Sequence, residues 1–118
     1  MKKCYYLKTC DTCKRILKEW NLPQDVILQD IKTQPITVKQ LEEMRELAGS
    51  YEALFSKRAK LYKERNLKNE TLTETDYKNF ILEHYTFLKR PVLIYNDKIF
   101  IGNSKKVVSQ AKQTIENE

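Results

Sequence analysis

Two thiols three residues apart, Cys10-Asp11-Thr12-Cys13, follow a short apolar run and sit where a helical pattern starts. A strand leading straight into Cys-x-x-Cys and a helix is the arrangement of a redox centre in an intracellular α/β protein. The placement has a physical basis. A helix N-terminus carries about half a positive charge and unpaired N–H groups, and both favour a thiolate over a thiol. Residues three apart on a helix share a face, so the same spacing suits a disulfide.

The third cysteine, Cys4, lies in the first apolar run beside Tyr5 and Tyr6 and reads as core, because buried cysteine behaves as a small apolar residue. Three cysteines is an odd count and argues against a framework of structural disulfides. A closed zinc site needs four ligands. Only Cys4 and the single histidine, His84, are available to join the pair, so no metal is expected. His84 reads as a packed or surface residue rather than a general base.

Along the chain, Cys4 to Leu7 reads as a buried strand. Asp11 to Trp20 reads as a helix, with Cys13, Ile16, Leu17 and Trp20 at helical spacing, ended by Asn21-Leu22-Pro23. Val26-Ile27-Leu28 reads as a second strand. Thr37 and Gln40 form a capping-box pair ahead of a helix carrying Val38, Leu41, Met44 and Leu47. Gly49 and Ser50 end it, and a second helical pattern runs from Tyr51 to Tyr62. Thr73 and Asp76 open a third, with Tyr77, Phe80, Ile81 and His84 along one face. Val92 to Tyr95 and Ile99 to Ile101 flank Asn96-Asp97-Lys98 as a β-hairpin. Ser104 opens a last helix, with Val107, Val108 and Ala111 facing inward. The order β-α-β, helical insert, β-β-α predicts an α/β, thioredoxin-like fold with a mixed four-stranded sheet. The core is expected over about 1–33 and 89–118, with the insert over about 34–88, all within one domain.

A chain of 118 residues, 41% hydrophobic and 32% charged, is large enough for one core and too apolar to be disordered. No run approaches the roughly 20 apolar residues of a membrane span. The start of the sequence carries no apolar stretch of signal-peptide type, so a cytoplasmic protein is expected. The net charge of +6 favours anionic partners. Much of it lies in Lys57, Arg58, Lys60, Lys63, Arg65 and Lys68, which read as a solvated helix face; no aromatic residues alternate with them as a base-stacking surface requires, and direct nucleic-acid binding is not expected.

Three segments carry a resemblance to a known family: Thr9-Cys10-Asp11-Thr12-Cys13-Lys14-Arg15, Ser56-Lys57-Arg58-Ala59-Lys60-Leu61-Tyr62 and Lys89-Arg90-Pro91-Val92. In this order and spacing the chain resembles the arsenate reductase (ArsC) and Spx family from about Lys3 to about Ala111. The resemblance implies Cys10 as nucleophile and Cys13 as resolving thiol. It implies Arg58 and Arg90 as anion-binding residues, and Pro91 as a structural residue at the site with a cis peptide bond. An arginine beside the thiols lowers the pKa of Cys10 and holds an anionic oxygen through a forked hydrogen bond.

The implied activity is that of an arsenate reductase-like thiol/disulfide oxidoreductase. It acts on a small oxyanion or a disulfide, needs no organic cofactor, and is re-reduced by glutathione, glutaredoxin or thioredoxin. Two differences separate this chain from the glutathione-dependent arsenate reductases of the family, which use a single catalytic cysteine and carry a third arginine near the far end of the hairpin. Here the second thiol is present, and Ile101-Gly102-Asn103-Ser104-Lys105-Lys106 holds no arginine. The pair is similar instead to that of the Spx branch, whose members are redox switches binding RNA polymerase. The α subunit of that enzyme is therefore the alternative partner.

Overall fold

The computed structural model describes residues 1–118 as two compact units, one formed by Met1–Pro35 with Arg90–Glu118 and the other by Ile36–Lys89. The first unit is a four-stranded mixed sheet in the order β2-β1-β3-β4. Strand β1 (Lys2–Tyr6) is central. It pairs parallel with β2 (Ile27–Asp30), Cys4 opposite Leu28, and antiparallel with β3 (Val92–Tyr95), Cys4 opposite Leu93. Strand β4 (Lys98–Ile101) closes a two-residue hairpin, in which Asn96 takes φ 61°, a left-handed value that asparagine tolerates better than most residues.

One face of this sheet is covered by α1 (Asp11–Trp20) and by the C-terminal helix Lys105–Asn117. Ile16 and Trp20 of α1 meet Val108, Ala111 and Ile115 over Cys4, Leu93 and Tyr95, all buried. The Trp20 indole N–H donates to the Val108 carbonyl at 3.0 Å, so the largest side chain of the cluster also satisfies its one polar atom. Asn21, left-handed at φ 48°, ends α1 with its N–H on the Leu17 carbonyl. Helix α1 occupies the residues expected of it, and β3 does too.

The second unit contains α2 (Val38–Ala48), α3 (Lys60–Glu64) and α4 (Glu74–Glu83), which makes the C-terminal helix α5. Both longer helices start with a closed capping box, Thr37 with Gln40 and Thr73 with Asp76. Gly49, at φ 93°, ends α2 in the left-handed conformation glycine adopts without penalty. Phe55 packs among Tyr62, Tyr77, Phe80 and Phe87 with ring centroids 4.9–6.2 Å apart.

Several local readings change. No continuous helix spans Tyr51–Tyr62. A 3-10 turn at Glu52–Leu54 gives way to extended backbone at Phe55, then a turn at Lys57–Arg58, before α3 begins at Lys60. Pairing with the 84–89 segment overrides the helical pattern there: Phe55 bridges Leu88, the Ser56 N–H reaches the Phe87 carbonyl at 2.7 Å, and the Lys89 N–H reaches the Leu54 carbonyl at 2.8 Å. In α2 only Leu41 and Met44 are buried, while Val38 and Leu47 are 48% and 39% exposed. A spacing of three falls short of the 3.6-residue turn, so over nine residues the stripe drifts to the opposite side of the helix. Strand β2 begins one residue later than expected and extends to Asp30. Its buried residue is Gln29, whose amide donates to the Gln34 carbonyl, not Ile27 or Leu28.

Trp20→Ala is expected to lower the unfolding free energy by about 3–5 kcal/mol. Thr73→Ala is expected to cost about 1 kcal/mol through loss of the cap. Urea denaturation followed by far-UV circular dichroism reads both as shifts in midpoint at constant slope. A Trp20→Ala loss below about 1 kcal/mol would contradict the packing described.

Candidate active site

The polypeptide leaves β1 at Tyr6 and turns immediately, with the Cys10 N–H on the Leu7 carbonyl at 3.0 Å. That turn sets Cys10 in the N-cap position of α1, extended at φ −91°, ψ 116°, and its carbonyl accepts the first helical bond from Lys14. Cys10 is half-buried and Cys13 is fully buried on the inner face of the helix. All three cysteines are free thiols.

The two site thiols are driven apart in acidity. For Cys10, burial is the largest influence and opposes ionisation. It is outweighed by the Cys13 N–H, the Cys13 thiol, the Arg90 guanidinium and the Thr12 N–H, so the net direction is down. A thiolate is a stronger acceptor than a thiol, so the N–H groups at the helix start favour the ionised form. Cys13 moves the other way, to about 11, first because it is buried and also because the Cys10 charge and hydrogen bond hold its proton in place. Cys4 rises to about 12, by burial and then by proximity to Cys13. The arrangement is one half-buried sulfur at the helix start that favours ionisation and, one helical turn inside, a fully buried sulfur that keeps its proton.

Arg90 is half-buried and immediately precedes Pro91, and the bond between them is cis. The Pro91 carbonyl accepts the Gly102 N–H at 2.9 Å, which ties this corner to the end of the hairpin. Cys10, Cys13, Arg90 and Pro91 all belong to the first unit. Arg58 belongs to the second, in the exposed turn at Lys57–Arg58 rather than on a helix. His84 follows the last residue of α4. Its Nδ1 accepts from the Thr86 N–H at 3.2 Å and lies 2.7 Å from the Thr86 hydroxyl, and the ring stacks on Tyr85. Those contacts make it a local cap. The Thr12 and Cys13 N–H groups had no residue-type signal of their own, since any non-proline residue supplies one. No cluster of three metal-ligating side chains is present.

The fold and this corner together define a thioredoxin-like α/β protein with a thiol pair at the start of its first helix. The chain belongs to the ArsC family, whose model matches residues 5–111. Among curated proteins it is 24% identical over 102 residues to the global transcriptional regulator Spx 1 of Bacillus cereus, covering 83% of this chain and 76% of that one. Among solved structures it is similar to an ArsC family related protein from Bacteroides fragilis (TM-score 0.74, 22% identity, 93% and 96% of the two chains). It is also similar to an arsenate reductase from Vibrio cholerae (TM-score 0.73, 18% identity, 97% and 96%). At such identities the structural likeness establishes the fold. No helix is long and apolar enough to cross a membrane.

Two measurements follow from the electrostatics. The rate of Cys10 alkylation by iodoacetamide, read by mass spectrometry, is expected to rise through a pKa below the ordinary thiol value. Arg90→Ala is expected to move that inflection upward by removing a fixed positive charge, and an unmoved inflection would contradict the assignment. Stability is expected to fall as pH rises above the ordinary thiol value of 9 toward about 12. Over that range the unfolded chain releases protons that folded Cys4 and Cys13 retain, so folding loses free energy. The decline, read from urea midpoints, is expected to be shallower in Cys4→Ala.

Proposed function

We propose that the protein is an ArsC-family thiol/disulfide oxidoreductase, arsenate reductase-like in its chemistry, with Cys10 as nucleophile and Cys13 as resolving thiol. The observation that carries this reading is the placement of the two thiols: Cys10 half-buried at the N-cap of α1, where its acidity is favoured, and Cys13 fully buried one turn inside, where burial holds its proton. The Cys10 thiolate attacks one sulfur of a disulfide, forms a mixed disulfide and releases the other sulfur as a thiolate that takes a proton from water. Once the Cys10 charge is spent, one of the influences that held the Cys13 proton is gone, with burial remaining the larger. Cys13 ionises and attacks Cys10, releasing the second thiol and leaving a Cys10–Cys13 disulfide that carries the two-electron oxidation. A cellular dithiol or glutathione, with glutaredoxin or thioredoxin, returns the pair to the reduced state in a reducing, cytoplasmic setting.

With arsenate the first step joins Cys10 sulfur to arsenic with loss of water. Attack by Cys13 then releases arsenite, reduced by two electrons, and leaves the same disulfide. Arg90 is the anion-binding residue of this reading, and Pro91 shapes the backbone beside it. Arg58 is assigned the same anion-binding role on family resemblance. With no arginine between Ile101 and Lys106, disulfides rank ahead of arsenate, because lysines offer point charges and no fork.

A second reading rests on the Spx 1 match over 83% of the chain. In it the thiol pair is a sensor, and its oxidation changes binding to the RNA polymerase α subunit. Cys10→Ser is expected to lower disulfide turnover by on the order of 10³-fold or more. Cys13→Ser is expected to accumulate a mixed disulfide with glutathione or substrate, visible as a mass adduct. Wild-type turnover of every disulfide and of arsenate in both variants would overturn the enzyme reading. Oxidation-dependent capture of the α subunit, with no turnover, would install the regulator.

A further inference from the structure

Strand β2 is an edge of the sheet, and apart from its shortness it carries few of the devices that usually protect one. The other edge, β4, opens on Lys98, which pairs with Glu118. In β2 no lysine, proline or bulge appears. Its only charge, Asp30, is turned to local use: its carboxylate accepts from the Lys8 N–H at 3.1 Å and from the Thr33 hydroxyl at 3.1 Å. Ile27 and Leu28, consecutive and therefore on opposite faces, are 61% and 50% exposed.

The hydrogen bonding fixes which backbone groups this edge presents. The Ile31 N–H reaches the Tyr6 carbonyl at 3.0 Å in a parallel ladder with Tyr6 opposite Asp30. By alternation Ile27, Gln29 and Ile31 direct their backbone groups toward β1, while Val26, Leu28 and Asp30 direct theirs outward. Two outward groups are already used within the chain. The Val26 N–H is bonded to the Pro23 carbonyl at 3.1 Å, and the Asp30 carbonyl accepts the Gln34 N–H at 2.9 Å. Left on the edge are the Val26 carbonyl, both groups of Leu28 and the Asp30 N–H.

That set is complementary to itself. We propose that β2 pairs antiparallel with β2 of a second copy of this chain, about a two-fold axis at Leu28, making a continuous eight-stranded sheet. Leu28 and the partner subunit's Leu28 exchange two N–H···O bonds. Two residues along, each Asp30 N–H donates to the Val26 carbonyl across the axis. The groups consumed internally, the Val26 N–H and the Asp30 carbonyl, are the two that would otherwise face each other in this register. An extended peptide of another protein would leave its own two groups unmatched there, and this favours a second copy. A two-fold normal to the sheet keeps each face on its own side, so the two Leu28 side chains pack together and Ile27 lies opposite the partner subunit's Gln29. The pairing is independent of the thiol chemistry. Four residues of edge make a weak, concentration-dependent dimer.

The test is sedimentation equilibrium of the reduced protein, with tris(2-carboxyethyl)phosphine present to remove intermolecular disulfides, from low micromolar to near-millimolar concentration. Hydrogen exchange at the Leu28 amide is read by NMR across the same series. The expected result is a monomer–dimer equilibrium in which the Leu28 amide becomes protected as the dimer fills. Leu28→Lys places like charges opposite each other and is expected to weaken association roughly tenfold or more. Leu28→Pro deletes an N–H that no ladder bond within the chain uses and is expected to do the same. The circular dichroism of both variants is compared with wild type to show that they fold, and Leu28→Lys serves alone if Leu28→Pro does not. A monomer throughout, a Leu28 amide whose exchange ignores concentration, or a dimer that survives Leu28→Lys would overturn the proposal.

Discussion

The packing of α1 onto the sheet through Ile16 and Trp20 positions the thiol pair of the first unit. Because the Trp20 indole is pinned to the Val108 carbonyl, α1 can neither rotate nor slide without losing both apolar contact and a buried hydrogen bond. Its N-terminus is therefore held where β1 ends, and Cys10 is held at the cap. The electrostatics of the site derive from that location. A cysteine in the middle of the same helix would meet no unpaired N–H groups, and burial would carry its pKa upward, as it does for Cys13.

The same helix gives the two thiols opposite environments three residues apart. Cys10 looks outward toward Arg90, while Cys13 faces inward and is fully buried. This asymmetry orders the proposed chemistry without any moving part. One thiol is ready to attack, and the other is kept protonated by burial first and by the neighbouring charge second. Arg90 contributes through sequence adjacency to Pro91. The cis bond and the Gly102–Pro91 hydrogen bond define the backbone from which its side chain departs.

Family membership and chemistry stand at different levels. Membership rests on a match across nearly the whole chain, 5–111. The assignment of catalysis rests on the paired thiols and their environment, features that a thiol enzyme and a thiol sensor share. Both need an accessible, acidic sulfur and a second sulfur within reach. What separates them is what binds when the disulfide forms, a property of surfaces rather than of the thiol pair.

Much of this was legible in the residues themselves. The Thr37–Gln40 capping box, the helix start at Thr73 and Asp76, the helix Asp11–Trp20 and the Cys-x-x-Cys at its start all depend on interactions within a few residues. Local sequence therefore suffices to specify them. What local sequence could not supply were features decided by partners distant in the chain. Phe55 abandons a helical pattern because Leu88 and Phe87 offer it backbone and ring contacts, which puts Arg58 in a turn. Ile27 and Leu28 are exposed because the strand order leaves β2 at the edge of the sheet, while Gln29 is buried with its amide on the Gln34 carbonyl. That two thiols open a helix after a strand can be read from the order of residues alone. That one becomes an accessible, acidified sulfur and the other a buried, protonated one follows from the folded packing, because desolvation and the Arg90 charge depend on what surrounds each atom.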